Sequence, residues 1–270
     1  MTDRYAVVGN PVAQSKSPRI HAAFARQTGQ AMEYGTILAP RDGFAAAVQQ
    51  FRSEGGRGLN VTVPFKLDAF AFATALSDRA RSAGAVNTLK FDGASVLGDN
   101  TDGAGLVADI TDRLGLSLRG KRVLLLGAGG AARGVLLPML AEHPELVVVV
   151  NRTIDKATAL VERFASSGPI RGGGYGEFDD MRFDIVINAT SASLQGMVPP
   201  LSPRAFADGS LAYDMVYADE PTPFMTFART RGAHRIVDGI GMLIAQAAES
   251  FLIWRGVRPD IVPVIAALRP

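Results

Sequence analysis

Residues 123–134, VLLLGAGGAARG, constrain this chain more than any other stretch. Four consecutive apolar residues run into a glycine-rich turn and out into an alanine-rich segment, the pattern of a buried strand, a tight turn and a helix. Gly127, Gly129 and Ala132 fill the G-x-G-x-x-A spacing. Glycines there permit the turn and let a pyrophosphate approach the backbone, while the helix N-terminus presents amide donors. A turn that merely packs helix on strand would show the same spacing. Here, however, a strand precedes, a helix follows, and a second apolar run, LVVVV at 146–150, comes next. That is the context a dinucleotide site requires. Pro138 lies inside the helix and predicts a kink.

The residues after LVVVV select the dinucleotide. A site for NAD places Asp or Glu there, against the ribose 2′-hydroxyl. This chain has Asn151-Arg152-Thr153, with Lys156 close behind. Thr153 suits a helix N-cap, which puts Lys156 in the first turn, where a cation opposes the helix dipole unless an anion compensates. Arg152 and Lys156 bracketing a 2′-phosphate would explain the pattern and select NADP. A solvated basic helix start, offset by Asp155, is the alternative.

Elsewhere short apolar runs alternate with helical periodicity. Expected strands are Tyr5–Val8, Tyr34–Leu38, Gly58–Val63, Val123–Leu126, Leu146–Val150, Asp184–Asn188 and Leu211–Asp214. Leu106, Val107, Ile110 and Leu114 mark a helical stripe. Such alternation predicts an α/β fold with parallel sheets covered by helices on both faces. Segment 85–103 reads as a short β-rich stretch with turns at Asp92-Gly93 and Gly98–Asn100. A fresh strand begins at Val123, so a second domain is placed at 103–237. Periodicity does not say to which domain the last helix, from about Gly241, belongs.

With 270 residues and 47% hydrophobic content, the chain can fill two cores. A net charge of +2, with no run of Lys or Arg, lacks the footprint of a nucleic-acid binder. Zero cysteines removes disulfides and thiolate chemistry. His21, His143 and His234 show no metal-ligand spacing, so no metal is expected. The N-terminus has too short an apolar stretch for a secretory signal, and no segment is long enough to span a membrane. These features predict a cytoplasmic protein working on small molecules.

Three segments before residue 103 offer polar side chains near strand ends. In SKSP at 15–18, Ser17 suits an N-cap and Pro18 the first helical position; with Ser15 they make either a cap or a carboxylate site. In NVTVPFK at 60–66, Asn60, Thr62 and Lys66 fall near the carboxyl edge of a parallel strand, where α/β sheets bind ligands. The cationic form of a lysine near a helix start is disfavoured by dipole and desolvation, which suits proton transfer; a solvated lysine is the plainer reading. GDNTDG at 98–103 crowds Asp99 and Asp102 at a helix start, with Asn100, Thr101 or Asp102 as the cap, or Asp102 as a partner for Lys66.

Together these segments resemble shikimate dehydrogenase, the NADP-linked family of the pathway to aromatic amino acids. SKSP, NVTVPFK, GAVNT at 84–88, GDNTDG, GAGGAARG at 127–134, NRT at 151–153, NATS at 188–191, DMVY at 214–217 and DGIGMLIAQAA at 238–248 carry the resemblance nearly end to end. It implies a substrate domain, an open, mostly parallel α/β unit over 1–102 with 238–270, and a Rossmann-type NADP domain over 103–237. The C-terminal helices would return to the first domain. It also implies site residues: Lys66 and Asp102 as the catalytic pair, Ser15 and Ser17 at the substrate carboxylate, and Thr62, Asn87 and Gln246 at the ring hydroxyls, with Tyr217 also at the substrate. Asp78, Gly127, Ala128, Gly129, Gly130, Ala131, Asn151, Arg152, Thr153, Lys156, Met215 and Gly239 match cofactor-contacting positions. By periodicity Gln246 belongs on the surface, at the edge of a helix whose apolar face is Leu243, Ala247, Phe251 and Trp254.

The implied reaction is reversible reduction of 3-dehydroshikimate to shikimate by NADPH, with Lys66 moving the proton and Asp102 orienting it. Two other readings compete: a quinate or mixed quinate/shikimate dehydrogenase, against which Asn151-Arg152-Thr153 argues, and a non-catalytic NADPH-binding sensor, which would need neither Lys66 nor Asp102. A monomer or a homodimer is compatible with the sequence.

Overall fold

The computed structural model describes residues 2–268 and divides into two compact units, Met1–Gly105 with Ile244–Pro270, and Leu106–Leu243. The division falls after Gly105 and Leu243. A helix runs through each point, so packing changes partners within a helix and no loop marks the boundary.

The first unit begins β1 (Asp3–Gly9), α1 (Ser17–Thr28), β2 (Met32–Leu38), α2 (Phe44–Ser53), β3 (Gly56–Val61) and α3 (Lys66–Phe72). It continues β4 (Ala75–Leu76), α4 (Asp78–Ala83), β5 (Thr88–Asp92), β6 (Ser95–Asp99) and α5 (Asp102–Ala108), the last crossing the division. Its sheet runs β2-β1-β3-β5-β6-β4; β5 is antiparallel to both neighbours and the remaining pairs are parallel. Alternating residues of β1 serve two faces. Ala6 and Val8 join Val48, Phe51, Leu59 and Phe65 in one core. Tyr5, on the opposite face, stacks on Trp254 at 4.7 Å. The Asp92-Gly93 turn closes the β5–β6 hairpin, but β6 continues through Asp99, beyond the turn expected at Gly98–Asn100. Asn87 N–H bonds Asp99 O at 3.0 Å there, a ladder bond that outweighs the local turn preference of the sequence.

The second unit contains β7 (Arg122–Leu126), α6 (Gly130–Ala141), β8 (Leu146–Val150), α7 (Ile154–Phe164), β9 (Ile170–Gly173), β10 (Phe183–Asn188), β11 (Phe206–Asp214), α8 (Pro223–Thr230) and β12 (Arg235–Val237). Its sheet is parallel throughout, in the order β9-β8-β7-β10-β11-β12. Val123 and Leu125 of β7 point into one core, Leu124 and Leu126 into another. A strand buried on both faces needs the continuous apolar run seen in the sequence. The stripe after α5 does not stay α-helical: Asp109–Arg113 widens into a π turn, with Leu114 N–H bonded to Asp109 O at 3.0 Å. α6 runs through Pro138.

The chain ends with α9 (Ile240–Arg255), which crosses the second division point, and α10 (Val262–Leu268). α9 has no free face: Ala245, Ala247, Ala248, Glu249, Ser250 and Phe251 are all buried. A helix buried all round gives no amphipathic signal, which is why periodicity put Gln246 on the surface when it is half-buried. Among the described residues no helix is long and apolar enough to cross a membrane.

Candidate functional site

In the first unit, side chains from α3, α5, α9 and the segment before β5 meet. Lys66 is the first residue of α3, and its backbone carbonyl accepts from Val86 N–H at 2.9 Å, which fixes α3 against the segment leading to β5. Its Nζ donates to Asp102 Oδ2 at 2.6 Å, the lysine side chain one-third exposed and the carboxylate 12%. Asp102 starts α5, with its backbone N–H on Asn100 Oδ1 at 3.2 Å. The other carboxylate oxygen, Oδ1, accepts from Asn87 Nδ2 at 2.8 Å. Asn87 is buried, and its Nδ2 also reaches Thr101 Oγ1 at 2.9 Å and Gln246 Oε1 at 3.2 Å. Its Oδ1 accepts from Thr101 N–H at 2.9 Å. Lys66, Asn87, Asp102 and Gln246 therefore form one hydrogen-bonded group.

The serines and Thr62 sit at other places in this unit. Lys16, not Ser17, holds the cap position of α1, and Ser17 is its first residue. Pro18 at the second position leaves the start of α1 without a side-chain cap; instead Ser15 Oγ accepts from Ser17 N–H at 3.3 Å. Ser17 is buried, with its hydroxyl against that of Tyr34, whose pKa burial pushes far above the usual phenol value and Ser17 lowers in part. Thr62 follows β3 and hydrogen-bonds Val8 O through its N–H at 3.0 Å. Asp99 is held by an ion pair. Arg79 takes it through Nε at 2.6 Å and Nη2 at 3.0 Å.

Sequence reasoning passed over much of what surrounds Asn60. Its Oδ1 faces Tyr34 hydroxyl at 2.7 Å and His21 Nε2 at 3.1 Å, and its Nδ2 faces Ser250 Oγ at 2.9 Å. One signal was available: Ser17, Ile20, His21 and Phe24 share the buried stripe of α1, so the histidine points inward. Thr88 and Ser250 carried no signal beyond lying next to motif residues.

In the second unit the glycine turn follows β7 at the point where strand order reverses, between β8 and β10. Gly127 has φ +103°, a conformation that favours glycine, and a Cβ on it would lie 3.0 Å from Thr190 Cγ2. Gly129 caps α6 with no side-chain bond, so the first amides of the helix lack an intramolecular cap. A Cβ on Gly129 or Gly130 would meet nothing within 4 Å. Unclaimed amides beside open space, at a switch point, fit a pyrophosphate. Asn151 Oδ1 accepts from Ala128 N–H at 3.2 Å, tying the end of β8 to the turn, and Ala131 is exposed in the first turn of α6. Arg152, Thr153 and Lys156 are exposed beyond it, Thr153 capping α7 by position without a side-chain bond.

Met215 and Gly239 pack together: Gly239 N–H bonds Val216 O at 3.1 Å, and a Cβ on Gly239 would come within 2.2 Å of Met215 O. Tyr217 is half-buried, and burial raises its hydroxyl pKa. Asp78 lies in the first unit, exposed at the start of α4 and paired with Arg81. Among the described residues no cluster of three or more His, Asp or Glu side chains could hold a metal.

A glycine turn at the switch point of a sheet whose strands run 3-2-1-4-5-6 defines a dinucleotide-binding α/β protein. Family models narrow this: the shikimate dehydrogenase substrate binding domain matches residues 7–89, shikimate / quinate 5-dehydrogenase matches 108–197, and the shikimate 5′-dehydrogenase C-terminal domain matches 239–269. A shikimate dehydrogenase (NADP(+)) of Herminiimonas arsenicoxydans is 61% identical over 269 residues, covering 100% of this chain and 98% of that one. The crystal structure of an Ael1 enzyme from Pseudomonas putida matches with a TM-score of 0.96 at 49% identity, covering 100% of this chain and 99% of that one. A Thermus thermophilus shikimate 5-dehydrogenase solved with NADP(H) and shikimate matches with a TM-score of 0.86 at 31% identity, covering 98% of each chain. The chain belongs to the shikimate dehydrogenase family.

Proposed function

We propose that this chain catalyses the reversible NADP-dependent reduction of 3-dehydroshikimate to shikimate. The observation that carries the reading is the Lys66–Asp102 pair at 2.6 Å, bound by Asn87 and Gln246 into one group, in a chain whose full-length relatives bear that name. In this reading residues 1–102 with 238–270 take the substrate and residues 103–237 take NADP. The protein works in the cytoplasm as a monomer or homodimer, a placement that the absence of cysteine suits.

NADPH, when bound, supplies the hydride that reduces the ring carbonyl. Gly127, Ala128, Gly129, Gly130 and Ala131 would hold its pyrophosphate, and Asn151, Arg152, Thr153 and Lys156 its 2′-phosphate end. Met215, Gly239 and Asp78 would be further cofactor contacts. Ser15 and Ser17 bind the substrate carboxylate. Thr62, Asn87 and Gln246 hold the ring hydroxyls, and Tyr217 is a further substrate contact.

Lys66 Nζ gives a proton to the carbonyl oxygen as it becomes an alkoxide, and takes it back in oxidation. Asp102 Oδ2 keeps the ammonium aimed at that oxygen. Asn87 holds the other carboxylate oxygen, so Asp102 cannot swing away from Lys66. Lys66 is one-third exposed, which lets solvent return the spent proton between turnovers. A positioned proton donor of this kind contributes about 10²–10⁴-fold.

The test is NADPH formation from shikimate and NADP by the purified protein, with quinate and NAD run in parallel. Turnover confined to shikimate with NADP is expected. A preference for quinate or NAD overturns the pocket or the 2′-phosphate assignment. Nucleotide binding without turnover of either acid overturns the enzyme reading and leaves the fold intact.

A further inference from the structure

His21 is a buried polar group that the proposed reaction does not use. Its ring is wholly enclosed, stacked on Tyr34 with centroids 4.2 Å apart and flanked by Trp254 at 5.3 Å. Among the described residues Nδ1 has no hydrogen-bond partner, whereas Nε2 lies 3.1 Å from Asn60 Oδ1. Burial holds the ring neutral, its pKa lowered to about 3, so it carries one N–H.

Neighbours that can play only one role show where that hydrogen sits. Asn87 O, an acceptor only, faces Asn60 at 3.4 Å, so this edge of the Asn60 amide is Nδ2 and the opposite edge is Oδ1. His21 must then donate from Nε2. The same logic fixes Asn87: the donor-only N–H of Thr101 meets Oδ1, and the acceptor-only carboxylate of Asp102 meets Nδ2. Two hydroxyls join the amides. Asn60 Nδ2 donates to Ser250 Oγ at 2.9 Å, and Thr88 Oγ1 donates to Asn87 Oδ1 at 2.9 Å. Thr88 spends its single proton there, so across the 2.7 Å between the hydroxyls it can only accept, and the Ser250 proton is shared between Thr88 Oγ1 and Gln246 O at 3.1 Å. A hydrogen-bonded path therefore runs from Asn60 Nδ2 through Ser250 and Thr88, with a longer direct contact from Nδ2 to Thr88 at 3.3 Å, to Asn87 and Asp102, and His21 anchors the amide at which it begins.

Phenylalanine would fill the aromatic cage without burying an unpaired nitrogen, so packing does not account for a histidine here. We infer that His21 is a positioning residue: its Nε2–H fixes the Asn60 amide and, through Ser250 and Thr88, the Asn87 amide that holds Asp102 beside Lys66. The kinetic consequence rests on the reaction proposed above; the geometry does not.

The test compares His21→Phe, His21→Gln, whose amide N–H replaces Nε2–H, Ser250→Ala, and the double variant His21→Phe/Ser250→Ala. His21→Phe is expected to lower kcat about tenfold, the scale of one weakened hydrogen bond to a charged group, with KM for shikimate changed less than about twofold. His21→Gln restores most of the loss. Ser250→Ala loses a similar factor, and the double variant loses no more than the worse single one, because both cut one path. Unchanged kcat in His21→Phe, or losses that multiply in the double variant, overturns the inference. A second readout needs no turnover: the Asn87 side-chain amide resonance moves in His21→Phe and returns in His21→Gln. A resonance that stays in place also overturns it. If the unmodified protein does not turn over shikimate, the proposed reaction falls and the amide resonance alone decides. If His21→Phe does not fold, Ser250→Ala and His21→Gln carry both comparisons.

Discussion

Acidification from pH 7 to pH 5 should destabilise the protein through His21, and the size of the effect follows from its burial. The ring is 0% exposed, with Phe24, Tyr34, Phe251 and Trp254 around it, and its folded pKa is lowered to about 3 by desolvation. In the unfolded chain an imidazole titrates near 6.5. Between these values the unfolded state binds a proton that the folded state refuses, so stability rises with pH across that window and falls as pH drops through it. At pH 7 the unfolded ring is mostly neutral and the term is about 0.2 kcal/mol; at pH 5 it is about 2 kcal/mol. A folded pKa anywhere below about 4 gives the same figure, because at pH 5 only the unfolded ring is titrating. Carboxylates contribute to the overall slope as well, so the assay is a difference: urea unfolding of the unmodified protein and of His21→Phe, each at pH 7 and pH 5. His21→Phe should gain about 2 kcal/mol relative to the unmodified protein on going to pH 5. A stability difference that is the same at both pH values would show that His21 is not held neutral, and the donor argument built on its single N–H would fall with it.

Other outcomes follow from the two units taken separately. Lys66→Ala should lower kcat by at least about 10²-fold with little change in KM for shikimate, read by steady-state kinetics; a raised KM at unchanged kcat would make Lys66 a binding residue only. Arg152→Ala and Lys156→Ala should each weaken NADP binding severalfold and leave NAD binding unchanged, measured by titration calorimetry, the effect being limited because both side chains are exposed. Gly105→Ala would set a Cβ 2.6 Å from the backbone nitrogen of Gln246, so α5 and α9 must separate. That overpacking should cost about 1–3 kcal/mol in denaturant melts and raise KM for shikimate as the Gln246 amide leaves Asn87.

How far the sequence revealed the fold depended on whether each signal was local. The strand β7, the glycine turn and α6 were legible together because a two-sided strand and a dinucleotide turn each leave a continuous local pattern. The β5–β6 hairpin was legible at Asp92-Gly93 for the same reason. Its far end was not: the chain extends through Asp99 because Asn87, twelve residues earlier, supplies a ladder bond there. The cap of α1 went to Lys16 and not Ser17 by a similar contest, with Ser15 serving Ser17 N–H from outside the helix. Neither outcome is written in the nearest few residues.

The site divides along the same line. Lys66 and Asp102 stand 36 positions apart, and Asn87 and Gln246 stand 159 apart, yet each pair shares a hydrogen bond. Nothing in local periodicity joins such residues; the family resemblance named them because a motif records the result of folding, not its cause. What the motifs leave out is the layer behind them. Thr88 and Ser250 have no chemistry of their own, and His21 reads as one more inward residue of α1. Their value lies in connection: a hydroxyl can donate or accept, and the fixed ends at Asn87 O, Thr101 N–H, Asp102 and Gln246 O constrain which. A buried group with two possible roles acquires one when its neighbours have none to spare. That property belongs to the assembled network, and no reading of residues one at a time contains it.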